Sequence, residues 1–594
     1  MQCHRAIRVP ILTVLLILLG LGTAIPASVA SAAWDVWSLV ETRKLTRDAP
    51  AQPGGEVRLS AARNEWESFQ LFARCDGEVK NVRVEPSALV GPDGHKLDLR
   101  WMRLYRQHQM HLTRPTHRNH DFQPGWYPDP LIPWRHPSTL EPLTGGEYRA
   151  MPFDLPPNET HGFWVDLYVP PGTPSGEYRG RYRVTGDGQD PVEVPVVLNV
   201  WDFELPATPT WHTAFGSPAR RMRGYYARLA KQGLAKEPEG WAVIERQCAE
   251  LISEHRINAV PPAGSLAPVA RPDGTFEIPQ EQIERFRQFI DRYRINAFEA
   301  PHPDTVIDDP YDEEQLRTLA AWLAAWDRAI AAINRPRVVF YIYLCREPHS
   351  AEDYVYVQSW GRAIRRIGTR LRVLVTEQTH PDKESYGDLH GCVDIWCPLF
   401  SQFRPKEAVR RQKLGEEIWT YTALCQRMRT PWWHIDYPLL NYRVPAWTSW
   451  RFGMSGLLYW GGMSNWRYVK DPWKEPLTLD RTKRSHGAVY NGEGVLVYPA
   501  RIVGYEGIAP SIRLKALRDG IEDYEYLTLA ATADRERWIL REVMQLTPHW
   551  FEWNGDPSAY EAARRELAAI ILGQWTFEDE LREQKRHERA TLVE

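Results

Sequence analysis

Arg346, Glu347 and Pro348 come directly after an apolar strand-like segment at 341–345. A carboxyl group shielded from water favours its protonated form, and a protonated carboxyl group can give its proton to a leaving oxygen. Since the segment before Glu347 is apolar and a proline interrupts the chain after it, we expect Glu347 to be buried and to act as a general acid–base group. The alternative is a surface ion pair that caps an ordinary strand.

Other polar and aromatic side chains follow the later apolar segments of the same half of the chain. Carboxylates and histidines bind hydroxyl groups, and Trp and Tyr provide apolar faces for sugar rings. The residues in these positions are Glu377, His380, Trp396, Tyr421, His434, Asp436, Tyr459, Trp460 and Trp466. The set predicts a carbohydrate site in which Glu347, Asp436 and Glu377 are catalytic, while Arg346 and the remaining residues bind substrate. Taken singly, a residue such as Glu377 or Asp436 is as well explained by a structural role.

Sequence motifs for a metal, a nucleotide or a serine nucleophile are missing. His380 and His434 lack the His-x-His and His-Glu-x-x-His spacings of zinc sites. The chain contains no Gly-x-Ser-x-Gly elbow and no phosphate-binding loop. We therefore expect no metal and no cofactor.

The elements that must position these residues change in type near residue 205. Segments 163–169 and 192–200 alternate apolar and polar residues, which indicates half-buried strands. Several such segments separated by Pro/Gly turns predict a β-sandwich at 34–205, and the proline-spaced segment 204–210 is the expected linker.

From residue 211 onward, helix-like and strand-like segments alternate. Segments 241–256 and 281–294 each place apolar residues on one helical face. Each ends in the same four-residue motif, Arg-Ile-Asn-Ala, and the two copies are 38 residues apart. About eight strands over roughly 250 residues predict a (β/α)₈ barrel at 211–510. A doubly wound sheet is the competing fold, but no glycine fingerprint follows its first strand. Segment 511–594 is expected to be helical and to pack on the barrel's exterior.

Composition and the N-terminus narrow the class of protein. The chain has 73 basic and 76 acidic residues interspersed, which gives no electrostatic basis for binding nucleic acid. Residues 1–32 have two arginines, an apolar run and a small-residue cleavage site, as in a signal peptide, and no later segment is long enough to span a membrane. We expect a secreted or periplasmic protein, and the sequence does not predict its oligomeric state.

Several motifs resemble one known family. They are SIRLKALRDGIEDYEYLTLA (511–530), GEGVLVYP (492–499), SAARNEWESFQLFAR (60–74), GWYPDPLIPW (125–134), FWVDLYVPPGTPSGEYRG (163–180) and WRFGMSGLLYWGGMSNW (450–466). The chain resembles the domain of unknown function 4091 group, which includes glycoside hydrolase family 123. The resemblance implies a β-sandwich, a catalytic (β/α)₈ barrel, and exo-acting β-N-acetylgalactosaminidase chemistry assisted by the substrate's own 2-acetamido group.

The family pattern ends the fourth barrel strand with Asp-Glu-Pro, whereas this chain has Arg346-Glu347-Pro348. The resemblance implies that Glu347 is the acid–base residue and that Arg346 replaces the Asp that orients the acetamido group. A guanidinium group has five donors, no acceptor and a fixed charge, so it cannot serve that purpose.

Three hypotheses follow. The protein is a glycosidase of altered chemistry, with Asp436 or Glu377 as nucleophile or base; or it keeps hexosaminidase activity through another acceptor; or it is a catalytically inactive carbohydrate-binding homologue.

Overall fold

The computed structural model describes residues 34–40, 42–381, 383–424, 430–480, 488–532 and 536–574. The predicted signal peptide (1–32) and residues 575–594 of the predicted helical segment lie outside the described residues. No helix in the described ranges combines the length and the apolar character that crossing a bilayer requires.

The N-terminal part consists of strands. They are β1 (Trp34–Leu39), β2 (Val57–Arg63), β3 (Glu65–Cys75), β4 (Val79–Pro86), β5 (Leu89–Val90), β6 (Lys96–Leu97), β7 (Met102–Leu112), β8 (Gly125–Pro133), β9 (Phe153–Leu155), β10 (His161–Val169), β11 (Gly176–Thr185) and β12 (Val192–Glu204). One sheet has the order β1-β3-β10-β7-β8, and the other has the order β2-β12-β11-β4-β9 with β5 and β6 beside it. An apolar core drawn from both sheets makes this region sandwich-like.

Strand β10 shows how the sequence pattern and the structure differ. Phe163, Val165 and Leu167 enter the core between the sheets, as their alternation predicts. Trp164 and Asp166, on the other face, are buried as well. The expectation of a half-buried strand is therefore wrong for β10, because a C-terminal helix covers its second face.

The second part alternates strands and helices. Its elements are β13 (His212–Ala214), α1 (Pro218–Lys231), α2 (Trp241–Glu254), β14 (Val269–Ala270), β15 (Phe276–Glu277), α3 (Gln280–Tyr293), β16 (Ala297–Ala300), α4 (Glu313–Ile333), β17 (Val339–Cys345), α5 (Ala351–Ile367), β18 (Arg372–Val375), β19 (Ile395–Trp396), α6 (Pro405–Gln412), β20 (Glu417–Thr422), α7 (Val444–Arg451) and β21 (Gly456–Tyr459). Seven of these strands form one parallel sheet with the order β13-β21-β20-β19-β18-β17-β16.

The sheet curves into a nearly closed barrel of seven strands, so the expectation of eight is not met in the described chain. The eighth strand would lie at 257–260, where the backbone does not pair with a neighbouring strand. Side-chain amides hold it instead: Asn258 Nδ2 donates to the Thr213 carbonyl at 2.7 Å and to Asn296 Oδ1 at 2.7 Å, and Asn258 Oδ1 accepts from Asn296 N–H at 2.8 Å. Both asparagines belong to the repeated Arg-Ile-Asn-Ala motif, so this motif joins the barrel's two edge strands, β13 and β16.

Alternate residues of the strands fill the barrel's interior. The inward set is Ala297, Tyr341, Leu374, Ile395, Cys397, Leu399, Trp419, Tyr421, Ala423 and Leu458. The neighbours in sequence, such as Phe340 and Ile342, pack against the surrounding helices. This alternation decides which side chains at the ends of the strands face the barrel's mouth.

The last described elements are β22 (Leu477–Asp480), β23 (Val489–Asn491), β24 (Val497–Pro499), β25 (Ile508–Pro510), α8 (Ile512–Ala530), α9 (Glu536–Leu546) and α10 (Pro557–Ile571). Helix α8 packs against α7 on the outside of the barrel, and the strand region covers its other side, so the helix is buried. Its Arg513 pairs with Asp129 of β8, and its Lys515 and Arg518 both pair with Asp166 of β10. Buried charges are retained only when they are paired in this way.

Candidate active site

A cavity of about 1350 Å³ opens at the carboxyl ends of the barrel strands. Its wall combines charged groups with aromatic rings, and five of the predicted site residues line it: Arg346, Glu347, Tyr421, Tyr459 and Trp460. The carboxyl end of a parallel barrel is where loops from different strands converge, so this position suits a binding or catalytic site.

Glu347 reaches the cavity because the chain turns sharply after β17. Its backbone is left-handed, with φ at +54°, and its N–H donates to Thr376 Oγ1 at 2.9 Å. The hydroxyl of Tyr421 donates to Glu347 Oε1 at 2.5 Å, and His349 Nε2 lies 3.6 Å from the other oxygen.

The side chain of Glu347 is 40% exposed, so the expectation that it is buried is wrong. The apolar strand ends at Cys345, and the left-handed turn directs the carboxyl group into the open cavity rather than into the core.

Glu299 is a second carboxylate in the cavity, and sequence reasoning missed it. It belongs to β16, where it is paired in register with Tyr341 of β17 and follows inward-facing Ala297 by two residues. Partial burial raises the pKa of Glu299, whose side chain is 48% exposed, while the positive charges of Arg346 and Arg220 oppose that rise. The period-two alternation of a barrel strand is the signal that marks Glu299 as inward-facing.

Arg346 is the exposed neighbour of both carboxylates. Its side chain is 75% exposed, and its Nη2 atom lies 3.8 Å from Glu299 Oε1. Its guanidinium carbon lies 5.1 Å from the centre of the Tyr343 ring, within range of a cation–π interaction. Tyr343 in turn donates to Thr376 Oγ1 at 3.0 Å, the hydroxyl that also accepts from Glu347 N–H.

Aromatic residues after β21 form the opposite wall. Tyr459 is buried, and its hydroxyl accepts from Gly494 N–H at 2.8 Å. Trp460 donates through Nε1 to Glu493. Gly461 and Gly462 follow with φ values of +89° and +62°, and a Cβ on Gly462 would lie 3.1 Å from the Ser217 carbonyl. Glycine is needed here for the left-handed backbone and for the close approach of α1.

Three predicted polar residues lie away from the cavity. Asp436 is buried and accepts from Thr116 N–H at 2.7 Å and from Asn119 Nδ2 at 3.0 Å, so it holds the segment that follows β7. His434 is buried against Glu493 at 2.6 Å. Glu377 is also buried and does not line the cavity. Neither predicted partner carboxylate therefore faces Glu347.

The remaining predicted residues also lie outside the cavity lining. Trp396 is buried and donates through Nε1 to Glu416 at 2.5 Å, and Trp466 is buried and donates to the Val497 carbonyl at 3.1 Å. His380 is half-buried and does not line the cavity. For the two tryptophans, a place in the core agrees with their apolar surroundings.

Metal chemistry has no visible site in the described ranges, where no three or more His, Cys, Asp or Glu side chains converge as ligands. The carboxylates and histidines that line the cavity are Glu347, Glu299, Asp480, His302 and His349.

A family model matches part of the chain, and a solved structure resembles most of it. Residues 346–530 match the family model of the glycoside hydrolase 123 catalytic domain. The fold resembles a family 123 glycoside hydrolase from Clostridium perfringens, described in work on glycolipid glycan hydrolysis, with TM-score 0.62, 13% identity, and 94% of this chain and 100% of that chain covered.

A family 39 glycoside hydrolase from Bacteroides cellulosilyticus also aligns, at 9% identity over 81% of this chain and 82% of that one, but its TM-score of 0.30 is too low to support an argument. A sequence comparison with curated proteins gives no significant match.

Proposed function

We propose that the protein is a glycoside hydrolase that acts on a glycan or oligosaccharide, with Glu347 as the general acid–base group. The observation that carries the proposal is the position of Glu347: it lies at the carboxyl end of a barrel strand, opens into the large cavity, and belongs to the segment matched by the glycoside hydrolase 123 model. Glycosidic bond cleavage needs a carboxyl group that protonates the leaving oxygen.

The contacts of Glu347 fit this role. Its protonated oxygen gives its proton to the leaving group, and the Tyr421 hydroxyl then donates a hydrogen bond to the carboxylate that remains. Thr376 fixes the backbone at Glu347, so the carboxyl group is held in one position over the cavity.

Glu299 is proposed as the second carboxylate, in place of Asp436 and Glu377. It is the other glutamate of the cavity wall, on the strand next to β17. A carboxylate there stabilises positive charge that develops at the anomeric carbon, or activates water for attack on it. The nearby Arg346 lowers the pKa that burial raises and so favours the ionised form of Glu299.

The chemistry proposed is altered from substrate-assisted catalysis. Arg346, which stands where the family pattern has Asp, offers only donors, and its guanidinium group is exposed to the cavity. A substrate without a 2-acetamido group has no need of the missing acceptor. The alternative is a catalytically inactive carbohydrate-binding protein, and the fixed charge of Arg346 beside Glu299 favours it, because that charge opposes a cationic transition state.

The test is a screen of chromogenic glycosides with and without a 2-acetamido group, followed by two variants on any substrate found. Glu347→Gln should lower kcat by roughly 10²- to 10⁴-fold, and Glu299→Gln should lower it comparably, while sugar binding persists. Glu352→Gln, which changes an exposed glutamate on the first turn of α5, is the matched control and should leave kcat unchanged.

Unchanged turnover in Glu347→Gln contradicts the assignment of the acid–base group. Binding of oligosaccharides without hydrolysis across the whole screen favours the inactive homologue. Export through the N-terminal segment stays a prediction of the sequence, and sequencing the N-terminus of the secreted protein checks it.

A further inference from the structure

Four arginine side chains line one part of the cavity wall. Arg220 and Arg221 lie in the first turn of α1, Arg346 follows β17, and Arg467 follows the Gly461-Gly462 turn. We call Arg220, Arg221, Arg346 and Arg467 the arginine cluster. The four positions come from distant parts of the chain and converge only in the folded barrel.

Three members of the arginine cluster are without a carboxylate partner. Within the described chain, Arg220, Arg221 and Arg467 form no ion pair, whereas arginines elsewhere on the same surface, such as Arg223 with Glu245, do. Of the four, Arg346 alone forms an ion pair in the described chain, with Glu299 at 3.8 Å, and Arg220 lies near enough to act on the same carboxylate. The cavity wall carries three carboxylates, Glu299, Glu347 and Asp480, so the four arginines exceed them by one.

These charges are close enough to act on each other. Burial lowers the pKa of Arg221, and the positive charges of Arg467, Arg346 and Arg220 lower it further. The N-terminus of α1, where Ser217 Oγ accepts from Arg220 N–H at 3.3 Å, adds the partial positive charge of the helix dipole beside Gly216. Like charges held together in a cavity destabilise the free protein unless a bound anion neutralises them.

We propose that the arginine cluster binds a negatively charged substituent of the glycan, either a carboxylate or a sulfate or phosphate ester; the carbohydrate nature of the ligand rests on the proposed function. Guanidinium groups bind such oxyanions with two parallel hydrogen bonds. The carboxylates Glu347 and Glu299 repel an anion, and Arg346 and Arg220 both act on Glu299, so the charged substituent lies toward Arg221 and Arg467 and the scissile bond lies at the glutamates. The substrate class is therefore an acidic glycan.

The test is the binding of simple acidic sugars, measured by calorimetry at low ionic strength and independently of turnover. The probes are glucuronate, galacturonate, galactose sulfate and glucose phosphate, with neutral glucose and galactose for comparison. Acidic sugars should bind at least about tenfold more tightly than their neutral parents, and the difference should shrink as salt is added. The four probes distinguish carboxylate from ester recognition.

Variants locate the binding. Arg220→Gln, Arg221→Gln and Arg467→Gln should each weaken binding of the preferred acidic sugar about tenfold and leave the neutral sugar unchanged. The matched control is Arg317→Gln, an exposed arginine on α4 that forms no ion pair in the described chain and lies outside the cavity. The three cluster variants should also unfold at the same or a higher temperature than wild type, because removing one charge relieves repulsion, whereas a purely structural arginine would lower it.

Equal affinity for acidic and neutral sugars, no binding of any acidic probe, or unchanged affinity in all three cluster variants overturns the proposal. Acidic sugars that bind through the arginines while no glycoside is hydrolysed would leave this inference standing and contradict the proposed hydrolase. Hydrolysis of neutral glycosides without selective binding of acidic sugars would support the proposed hydrolase and contradict the binding of an acidic glycan.

Discussion

At the scale of single residues, Thr376 organises the proposed catalytic group. Its buried hydroxyl accepts from Glu347 N–H at 2.9 Å and from Tyr343 at 3.0 Å. The same residue therefore fixes the left-handed backbone of Glu347 and the ring on which Arg346 rests. Thr376 does not line the cavity, so it is a positioning residue rather than a catalytic one.

Replacing Thr376 tests this positioning role. Thr376→Val keeps the shape of the side chain but removes both hydrogen bonds, so kcat should fall about tenfold with little change in KM. Thr376→Ser restores the acceptor and should restore kcat to near the wild-type value. Equal rates in wild type and Thr376→Val, measured on the best substrate of the screen, would show that Thr376 does not position Glu347.

The sequence predicted part of this site for a clear reason. Arg346, Glu347, Tyr421, Tyr459 and Trp460 belong to strand ends, and strand ends can be located from apolar periodicity. His434 and Asp436 lie in the long segment after β20, whose path depends on contacts with Thr116 and Glu493 that are remote in sequence. Glu299 alternates with Ala297, but the sequence alone does not show that Ala297 faces the barrel's interior, which the structure does.

Among the helices, the repeated Arg-Ile-Asn-Ala motif forms two equivalent turns, which we call corners, after α2 and α3. Arg256 follows α2 with φ at +57°, and Arg294 ends α3 with φ at +56°. Asn258 and Asn296 then bond to each other across the gap in the barrel. The repeat thus predicted equivalent helix ends correctly, but the strand expected after the first corner is replaced by side-chain hydrogen bonds.

The two corners differ in what their arginines contact, which gives a matched pair of variants. Arg294 is exposed, so Arg294→Gly should raise the free energy of unfolding by about 0.5–1 kcal/mol, because glycine adopts the left-handed conformation without strain. Arg256 is buried, its Nη1 donates to the Pro206 carbonyl at 3.0 Å, and its Nε lies 3.3 Å from Glu522 Oε1.

Arg256→Gly should therefore lower the free energy of unfolding by roughly 3–5 kcal/mol, because Glu522 loses its partner in the interior. Urea titrations of both variants provide the measurement. A loss of stability in Arg294→Gly, or none in Arg256→Gly, would contradict this account of the corners.

At the scale of the whole molecule, α8 links the barrel to the strand region through buried charges. Arg513 pairs with Asp129 and Arg518 with Asp166, both in the strand region, while Asp523 pairs with Arg443 at the start of α7. The sequence predicted a helical segment that packs on the barrel's exterior; α8 packs there against α7, but the strand region covers it as well. The basic residues of α8 have their partners on β8 and β10 of one sheet, which no local sequence pattern reveals.

Asp519 of α8 makes the stability of the molecule depend on pH. Burial raises the pKa of Asp519 to about 7, although Arg518, Arg443 and Arg564 oppose that rise. The folded state binds this proton more tightly than the unfolded state, so the contribution of Asp519 to stability is complete below about pH 4 and is lost as pH rises through about 7. Asp519→Asn should therefore reduce the decline in unfolding free energy between about pH 5 and about pH 8.

Urea titrations at these two values check the prediction, with Asp35→Asn as control, since Asp35 is an exposed residue of β1. The control should follow wild type. The burial of Glu65 raises its pKa to about 8, so part of the decline persists in every variant. An identical decline in Asp519→Asn and wild type would contradict the assignment to Asp519.

If Glu347 donates a proton to the leaving oxygen, the rate of Glu347→Gln depends on how much the leaving group needs that proton. A dinitrophenyl leaving group departs without a proton, whereas an alkyl or sugar leaving group requires one. The account predicts that Glu347→Gln cleaves a dinitrophenyl glycoside at close to the wild-type rate for bond cleavage and cleaves the corresponding alkyl glycoside roughly 10²- to 10⁴-fold more slowly. An equal loss of rate on both glycosides would contradict Glu347 as the proton donor.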